Sequence, residues 1–137
     1  MVEFEKSHGG RERYFSVKYK KDLTDDCAVR AIAHGTGIDY IVVYKALFEL
    51  AMANGWMPND TKTIEAYLKE LGWEKHSPMR DVNGKKIRLK DYPLDGRYLV
   101  YTTNHITCID RGVLRDTYDC RAWCGNSYWQ DPQNPGY

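Results

Sequence analysis

Three features that mark other protein classes are missing from this chain of 137 residues: a long apolar run, a large net charge and closely paired cysteines. No apolar run approaches the roughly 20 residues that cross a bilayer, so no membrane-spanning helix is expected. The first ten residues contain no apolar stretch of signal-peptide length, so the sequence predicts a cytoplasmic protein. Twenty basic residues against 19 acidic ones leave a net charge of +1, which argues against a general nucleic-acid binder.

The four cysteines are too dispersed for an ordinary zinc site, since Cys27, Cys108, Cys120 and Cys124 form no C-x-x-C pair. Cys120 and Cys124 with a histidine come nearest to one, but small free thiols are the simpler expectation. In a reducing compartment disulfides are not expected either. The sequence therefore predicts no metal and no organic cofactor.

The chain has the length of one hydrophobic core, and we predict a single domain over 1–137. Residues 1–13 are polar and contain glycine, which indicates a flexible arm. The aromatic and β-branched run 14–19 favours an edge strand. Residues 130–137 contain two prolines and a glycine and are expected to form an irregular tail.

Three helices are predicted in the first half of the chain, over 27–34, over 39–54 and from Asp60 to Leu71. The first is apolar on nearly every side apart from Arg30, which is typical of a buried central helix. The apolar positions that predict the second helix are Ile41, Tyr44, Phe48 and Met52.

Three strands follow, over 97–102, 105–109 and 113–116, and Arg111-Gly112 is the predicted turn between the last two. Helices therefore come first and an antiparallel sheet second. That order is typical of an α+β domain and not of an alternating α/β one.

Three residues meet the requirements of cysteine nucleophilic catalysis. Cys27 lies in the first turn of a buried helix, where free backbone N–H groups and the helix dipole favour a thiolate. His105 begins a strand, and in a hairpin folded about the Arg111-Gly112 turn it lies almost opposite Asp116. The carboxylate can then hold the imidazole by its second nitrogen, which gives a nucleophile, a base and an orienting acid.

Each of these residues also has a purely structural interpretation. Cys27 suits a small core side chain, and His105 suits a strand-end histidine bonded to a turn carbonyl. Asp116 competes with Asp119 and Asp110 for the orienting role. Asp116 has the better hairpin register, whereas Asp119 is placed to bond the backbone of its own turn.

The segment Asp-Asp-Cys27-Ala-Val-Arg-Ala-Ile-Ala resembles the helix that opens papain-like cysteine peptidases. The segment from His105 to Asp116 is similar to the His strand, turn and Asp strand of the C39-like branch of that superfamily. Small phage and bacterial proteins carry a similar helix followed by a His…Asp-Thr-Tyr/Trp-Asp segment, and a viral source would place the protein in the host cytoplasm. The resemblance covers about half of the chain, roughly residues 22–50 and 97–120.

The resemblance implies a papain-like fold, with the nucleophile helix packed on a C-terminal antiparallel sheet. It implies Cys27 as nucleophile, His105 as general base and Asp116 as orienting acid. The chain departs from the family by lacking a Gln or Asn just before the cysteine to donate to the oxyanion. Backbone N–H groups at the helix start, with Thr24 or Lys21, are the substitutes that the sequence offers.

The expected activity is a cysteine hydrolase that cleaves an amide, isopeptide or other acyl bond in a protein or peptide, with deamidation and acyl transfer left open. Trp123 and Trp129 are candidate substrate-binding residues, although packing of the C-terminal segment onto the sheet also explains them. The main alternative is a catalytically idle papain-like binding module, such as a phage protein that blocks a host factor through a patch rich in Tyr and Trp. An RNA-binding module would need a basic face, which the near-neutral charge disfavours.

Overall fold

The computed structural model describes residues 1–17 and 24–137, and in them helices pack on one mixed sheet. The α-helices of these residues are α1 (Cys27–Thr36), α2 (Tyr40–Asn54) and α3 (Thr61–Glu70). Their strands are β1 (Glu3–Lys6), β2 (Glu74–His76), β3 (Arg97–Thr102), β4 (His105–Asp110), β5 (Val113–Asp116) and β6 (Ser127–Gln130). The α+β class predicted from the sequence is thereby confirmed. None of the helices described is both long enough and apolar enough to cross a bilayer.

Helix α1 is the buried helix that its apolar sequence predicts. It packs mainly on β4 and also contacts α2. It extends two residues beyond the predicted end, through Gly35, before Gly37 ends it in the left-handed conformation at φ 75°. The helix continues because Gly35 allows close packing: a Cβ there would lie 2.7 Å from Cδ2 of Leu99 on β3.

Helix α2 lies where the sequence predicts it but buries a different face. Its buried residues are Tyr40, Val43, Leu47 and Ala51. Phe48 and Met52, which belong to the stripe used to predict the helix, are exposed. Both stripes recur at spacings of three and four, so periodicity alone identifies the helix but not its buried side.

The central strands β3, β4 and β5 form the predicted antiparallel meander, in the sheet order β1-β5-β4-β3-β6-β2. The expectation of a purely antiparallel C-terminal sheet is wrong at one edge, where β1 pairs with β5 in parallel. A flexible arm was expected over residues 1–13, but Val2 is only 1% exposed. Apolar and polar residues alternate from Val2 to Glu5, which is the strand period.

Residues 14–17 form no strand, in contrast to the predicted edge strand over 14–19, whose last two residues lie outside the described part of the chain. A short 3-10 helix, Arg11–Arg13, precedes them. The ring of Phe15 packs against Tyr44 of α2 at a centroid distance of 5.3 Å. Aromatic packing on a helix thus replaces strand pairing for this segment.

Two apolar clusters lie on the two sides of the sheet. One joins the three helices to Leu99, Ile106 and Trp129, and the other contains Val100 and Ile109. Adjacent residues of β3 contribute to opposite clusters because side chains alternate along a strand. Because apolar clusters cover both faces of the central strands, these strands are a rigid support for the side chains at their ends.

Candidate active site

The start of α1 positions Cys27 at one end of the sheet. Asp25 adopts a positive φ of 53°, and Asp26 occupies the N-cap, so the chain turns sharply just before the helix. Cys27 is the first helical residue and is partly buried. Its backbone N–H belongs to the first turn, where helix N–H groups have no partner within the helix.

The β4–β5 hairpin brings His105 and Asp116 to the same end of the sheet. Arg111 and Gly112, at φ 47° and 81°, form the tight turn that pairs Asp110 with Val113. If the pairing of β4 with β5 is extended by one residue, Asp116 lies opposite Thr107 and diagonal to His105. Diagonal neighbours on one face are within reach of long side chains.

His105 and Asp116 are joined by a short hydrogen bond. Nε2 of His105 lies 2.6 Å from Oδ2 of Asp116, and both side chains are buried, with exposed fractions of 7% and 3%. Nδ1 of the same ring is therefore the nitrogen left for the thiol of Cys27, which lies close enough for the two groups to shift each other's pKa. The three residues that the sequence singled out lie at the same end of the sheet.

The electrostatics of the three groups favour a thiolate and an imidazolium. Burial by itself would raise the pKa of the Cys27 thiol, but hydrogen bonds from His105 and from the Ile106 backbone, with the nearby charges of His105 and Arg30, lower it below its ordinary value. Burial would lower the pKa of His105, yet hydrogen bonds with Asp116, Cys120 and Cys27 raise it to about 12. Both shifts favour transfer of the thiol proton to the imidazole.

Asp116 stays ionised because both of its oxygens are held. Burial would raise the pKa of Asp116, but the hydrogen bond and charge of His105, helped by the charge of Arg30, keep it below its ordinary value. Oδ1 accepts the N–H of Thr117 at 2.7 Å and lies 3.4 Å from Nη2 of Arg30. The thiol of Cys120 lies 3.9 Å from Oδ2, so a second cysteine adjoins the pair.

The other two acidic candidates for the orienting role have different partners. Asp119 is exposed and forms an ion pair with Arg121 at 2.8 Å. Asp110 lies at the other end of β4, where Arg97 and Arg115 each approach it to 3.1 Å. The carboxylate in contact with His105 is that of Asp116.

Sequence reasoning missed a buried ion-pair network behind the site. Arg30 is 5% exposed and bonds Asp26 through Nη1, and Asp26 also accepts a hydrogen bond from the Tyr40 hydroxyl at 2.6 Å. Arg11 lies 3.2 Å from the same carboxylate. The available signal was a lone arginine in an apolar helix, four residues after an aspartate.

This network also balances the charge of Asp26, which adjoins Cys27 and by itself would oppose a thiolate. Burial would raise the pKa of Asp26, but the charge of Arg30, hydrogen bonds from Thr24 and Tyr40 and the charge of Arg11 lower it. The charge of Asp26 is thus balanced locally. Thr24, one candidate oxyanion donor, is bonded to Asp26, and the other, Lys21, lies outside the described residues.

The two tryptophans proposed for substrate binding have different environments. Trp123 is 44% exposed, and its ring meets that of His105 edge-on at 6.0 Å. Trp129 has none of its surface exposed and belongs to the core, because it pairs with Leu99 in the middle of the sheet. Tyr118, which sequence reasoning missed, is 38% exposed and lies 5.1 Å from the His105 ring.

An open cavity adjoins Trp123. Its volume is about 350 Å³, and Thr102, Thr103, Cys124 and Asn126 complete its lining. Thr102 pairs directly with His105 across the β3–β4 turn. The side chain that links this cavity to the site is Trp123, whose ring contacts that of His105.

His105, Asp116 and Cys120 also offer ligand atoms within 4.8 Å of one another, in a donor set that zinc accepts. The 2.6 Å separation of His105 Nε2 from Asp116 Oδ2 is that of a direct hydrogen bond. A cation there would also face the guanidinium of Arg30, which already contacts Asp116. The arrangement fits a hydrogen-bonded dyad better than a metal centre.

The chain was matched by no family model, no curated protein and no solved structure. The functional argument therefore depends on the geometry of the residues themselves.

Proposed function

We propose that the protein is a papain-like cysteine hydrolase that cleaves an amide or isopeptide bond in a protein or peptide. The observation that carries the proposal is the 2.6 Å hydrogen bond between Asp116 and the buried imidazole of His105, on a ring close enough to Cys27 to lower the pKa of its thiol. An imidazole held by a carboxylate beside a thiol of lowered pKa is the requirement for an activated cysteine nucleophile.

The placement of the three residues supports the papain-like interpretation. The nucleophile begins a helix, while the base and the acid lie on adjacent strands against which that helix packs. The order along the chain is Cys27, His105, Asp116, as the resemblance implies. The match in arrangement is an argument from analogy and adds to the local chemistry without replacing it.

The reaction begins with the thiolate of Cys27 and the imidazolium of His105. The sulfur attacks the substrate carbonyl carbon, a C–S bond forms, and the carbonyl electron pair moves to oxygen. When the C=O bond re-forms, the C–N bond breaks and the amine leaves with the proton of His105. His105, now neutral, takes a proton from water; the resulting hydroxide releases the acid and restores the thiolate and the imidazolium.

Backbone N–H groups supply the oxyanion site in this proposal. The first-turn N–H of Cys27 is adjacent to the nucleophile. The helix dipole adds a favourable potential for a developing negative charge. The rings of Trp123 and Tyr118 pack against the imidazole and against each other, at 5.7 Å, and would form one aromatic surface for the substrate beside His105.

Acylation by p-nitrophenyl acetate tests the proposal without knowledge of the natural substrate. We expect a rapid release of about one equivalent of nitrophenolate, with the acetyl group located on Cys27 by peptide mapping. His105→Ala should slow that step by about a hundredfold or more, because general acid–base assistance typically contributes that much.

The internal control is Cys124, an exposed free thiol in the same protein, which should be acetylated far more slowly than Cys27. Acetylation of Cys124 at the same rate as Cys27, or a burst that survives His105→Ala undiminished, would contradict the hydrolase. The idle binding module would then be the better account of the fold.

A further inference from the structure

We propose that Arg30 is a positioning residue of this site, which fixes Asp116 in its ionised form and in the orientation that holds His105. The inference rests on the proposed function and extends it to a residue that touches none of the reacting atoms. Arg30 lies on α1 one turn after Cys27, so the element that carries the nucleophile also carries this support for the acid.

The contacts of Asp116 place Arg30 and His105 on different oxygens of the carboxylate. Nη2 of Arg30 lies 3.4 Å from Oδ1, the oxygen that also accepts the N–H of Thr117. Oδ2 is thereby left to His105 at 2.6 Å, with the Cys120 thiol beside it at 3.9 Å. A carboxylate held at one oxygen by a guanidinium and a backbone amide cannot rotate freely, so the acceptor that faces the imidazole is defined.

The same guanidinium links two buried carboxylates. Nη1 of Arg30 bonds Asp26, the N-cap of α1, and the side chains of Arg30, Asp26 and Asp116 are all at least 94% buried. Without a cation between them, the two carboxylates would repel each other in a medium that screens charge poorly. Arg30 therefore keeps both ionised at once.

Six charged side chains of alternating sign form a series that ends at the nucleophile. Each side chain lies next to the following one, and once Cys27 is a thiolate and His105 an imidazolium the series contains three cations and three anions. Such a sequence stabilises the ion pair at its inner end because every charge has an opposite neighbour. In order, the members are Arg11, Asp26, Arg30, Asp116, His105 and Cys27.

The test is the pH dependence of iodoacetamide alkylation at Cys27 in the full chain, followed by peptide mapping. In Arg30→Met the midpoint should rise by about one pH unit, because a cation that favours both the thiolate and the Asp116 carboxylate is lost. Arg30→Lys, which keeps the charge, should recover most of that shift.

A second variant guards against misfolding of Arg30→Met, which leaves Asp26 with one partner fewer. The double variant Asp26→Asn with Arg30→Met removes one anion and one cation together. Because the charge of Asp26 opposes the thiolate, this variant is compared with Asp26→Asn alone, and its midpoint should be the higher of the two. Arg97→Met is the matched control, since Arg97 pairs with Asp110 at the far end of β4 and its loss should leave the midpoint unchanged.

The outcomes separate this inference from the function on which it rests. A low midpoint in the unaltered protein, with equal midpoints in Asp26→Asn and the double variant, overturns the role of Arg30 and leaves the hydrolase standing. An ordinary thiol midpoint in the unaltered protein overturns both. A shift in Arg97→Met equal to that in Arg30→Met also contradicts the role, because the loss of any nearby cation would then suffice.

Discussion

At the scale of single residues, the site depends on which carboxylate meets the imidazole. Three aspartates, Asp110, Asp116 and Asp119, lie within ten residues of one another, and each has a full set of partners. Only the partners of Asp116 include His105, at a distance of 2.6 Å. The other two carboxylates pair with arginines, which explains them as structural residues.

Substitution of Asp116 by Asn gives the sharpest prediction at this scale. The amide keeps the size of the side chain but removes the charge that stabilises the imidazolium and fixes its tautomer. We expect the rate of Cys27 acylation to fall by about a hundredfold or more, measured as the nitrophenolate burst at pH 7.

The matched control is Asp119→Asn, which makes the same change in an exposed carboxylate three residues away. Its acylation rate should equal that of the unaltered protein. If the two variants lose activity equally, or if Asp119→Asn alone loses it, the assignment of Asp116 is wrong.

The residues predicted from sequence were those whose local context is distinctive. Cys27 follows polar capping residues at the start of an apolar helix, and His105 and Asp116 flank a recognisable turn. Arg30 was seen only as an exception in an apolar helix, because its partner Asp116 is 86 positions away in the chain. Long-range pairs of this kind leave no local signal in one sequence.

At the scale of elements, the β4–β5 turn sets the geometry of the site. Gly112 has a φ of 81°, a left-handed conformation that costs a residue with a Cβ roughly 1–2 kcal/mol. The turn fixes the register, and the register decides whether position 116 falls on the same face as His105. A strained turn should therefore affect both stability and the site.

The pair Gly112→Ala and Gly84→Ala tests this dependence. Both glycines have a similar positive φ, 81° and 78°, so each substitution should lower the free energy of unfolding by about 1 kcal/mol in urea denaturation. Gly112→Ala also brings a Cβ to 3.3 Å from Leu94, so this variant should lose more of the free energy of unfolding than Gly84→Ala.

Only Gly112→Ala should slow acylation of Cys27, since Gly84 lies in a separate turn with open space around it. Equal rates for the two variants would show that the site tolerates a strained hairpin. That result would contradict the link between turn and register.

Helices and strands could be predicted where apolar residues recur with a clear helix or strand period and where capping or turn residues mark the ends. All three helices and the three strands of the meander lie within a few residues of their predicted limits. The buried face of α2 could not be predicted, because that helix carries two apolar stripes and only its packing against α1 and α3 decides which one is buried. The short strands β2 and β6 depend on pairing with each other and with β3.

At the scale of the whole molecule, the first residues of the chain complete the sheet around the site. Strand β1 lies beside β5 with Lys6 paired with Asp116, and the N–H of Ser7 donates to the Asp116 carbonyl at 2.8 Å. Val2 packs into the cluster that contains Leu114 and Cys120. The edge strand therefore supports the backbone that carries the orienting acid.

The contrast between Val2→Asp and Val82→Asp tests this support. Val2 is 1% exposed and Val82 is fully exposed, so the same substitution buries a carboxylate only at position 2. We expect Val2→Asp to lower the free energy of unfolding by about 2 kcal/mol or more and Val82→Asp to have little effect. Equal thermal stability of the two variants would instead support the flexible arm that composition alone predicts.

The central claim is that Cys27 exists as a thiolate paired with the His105 imidazolium, and its reaction with iodoacetamide between pH 4 and 9 tests that claim most directly. Because the pKa of Cys27 is lowered, the thiolate persists as the pH falls below the ordinary thiol range and is lost only through the lowered pKa. The account predicts fast alkylation of Cys27 well below pH 8, slowed by His105→Ala. Alkylation that declines around the ordinary thiol pKa of ~8.5 and ignores His105→Ala would contradict it.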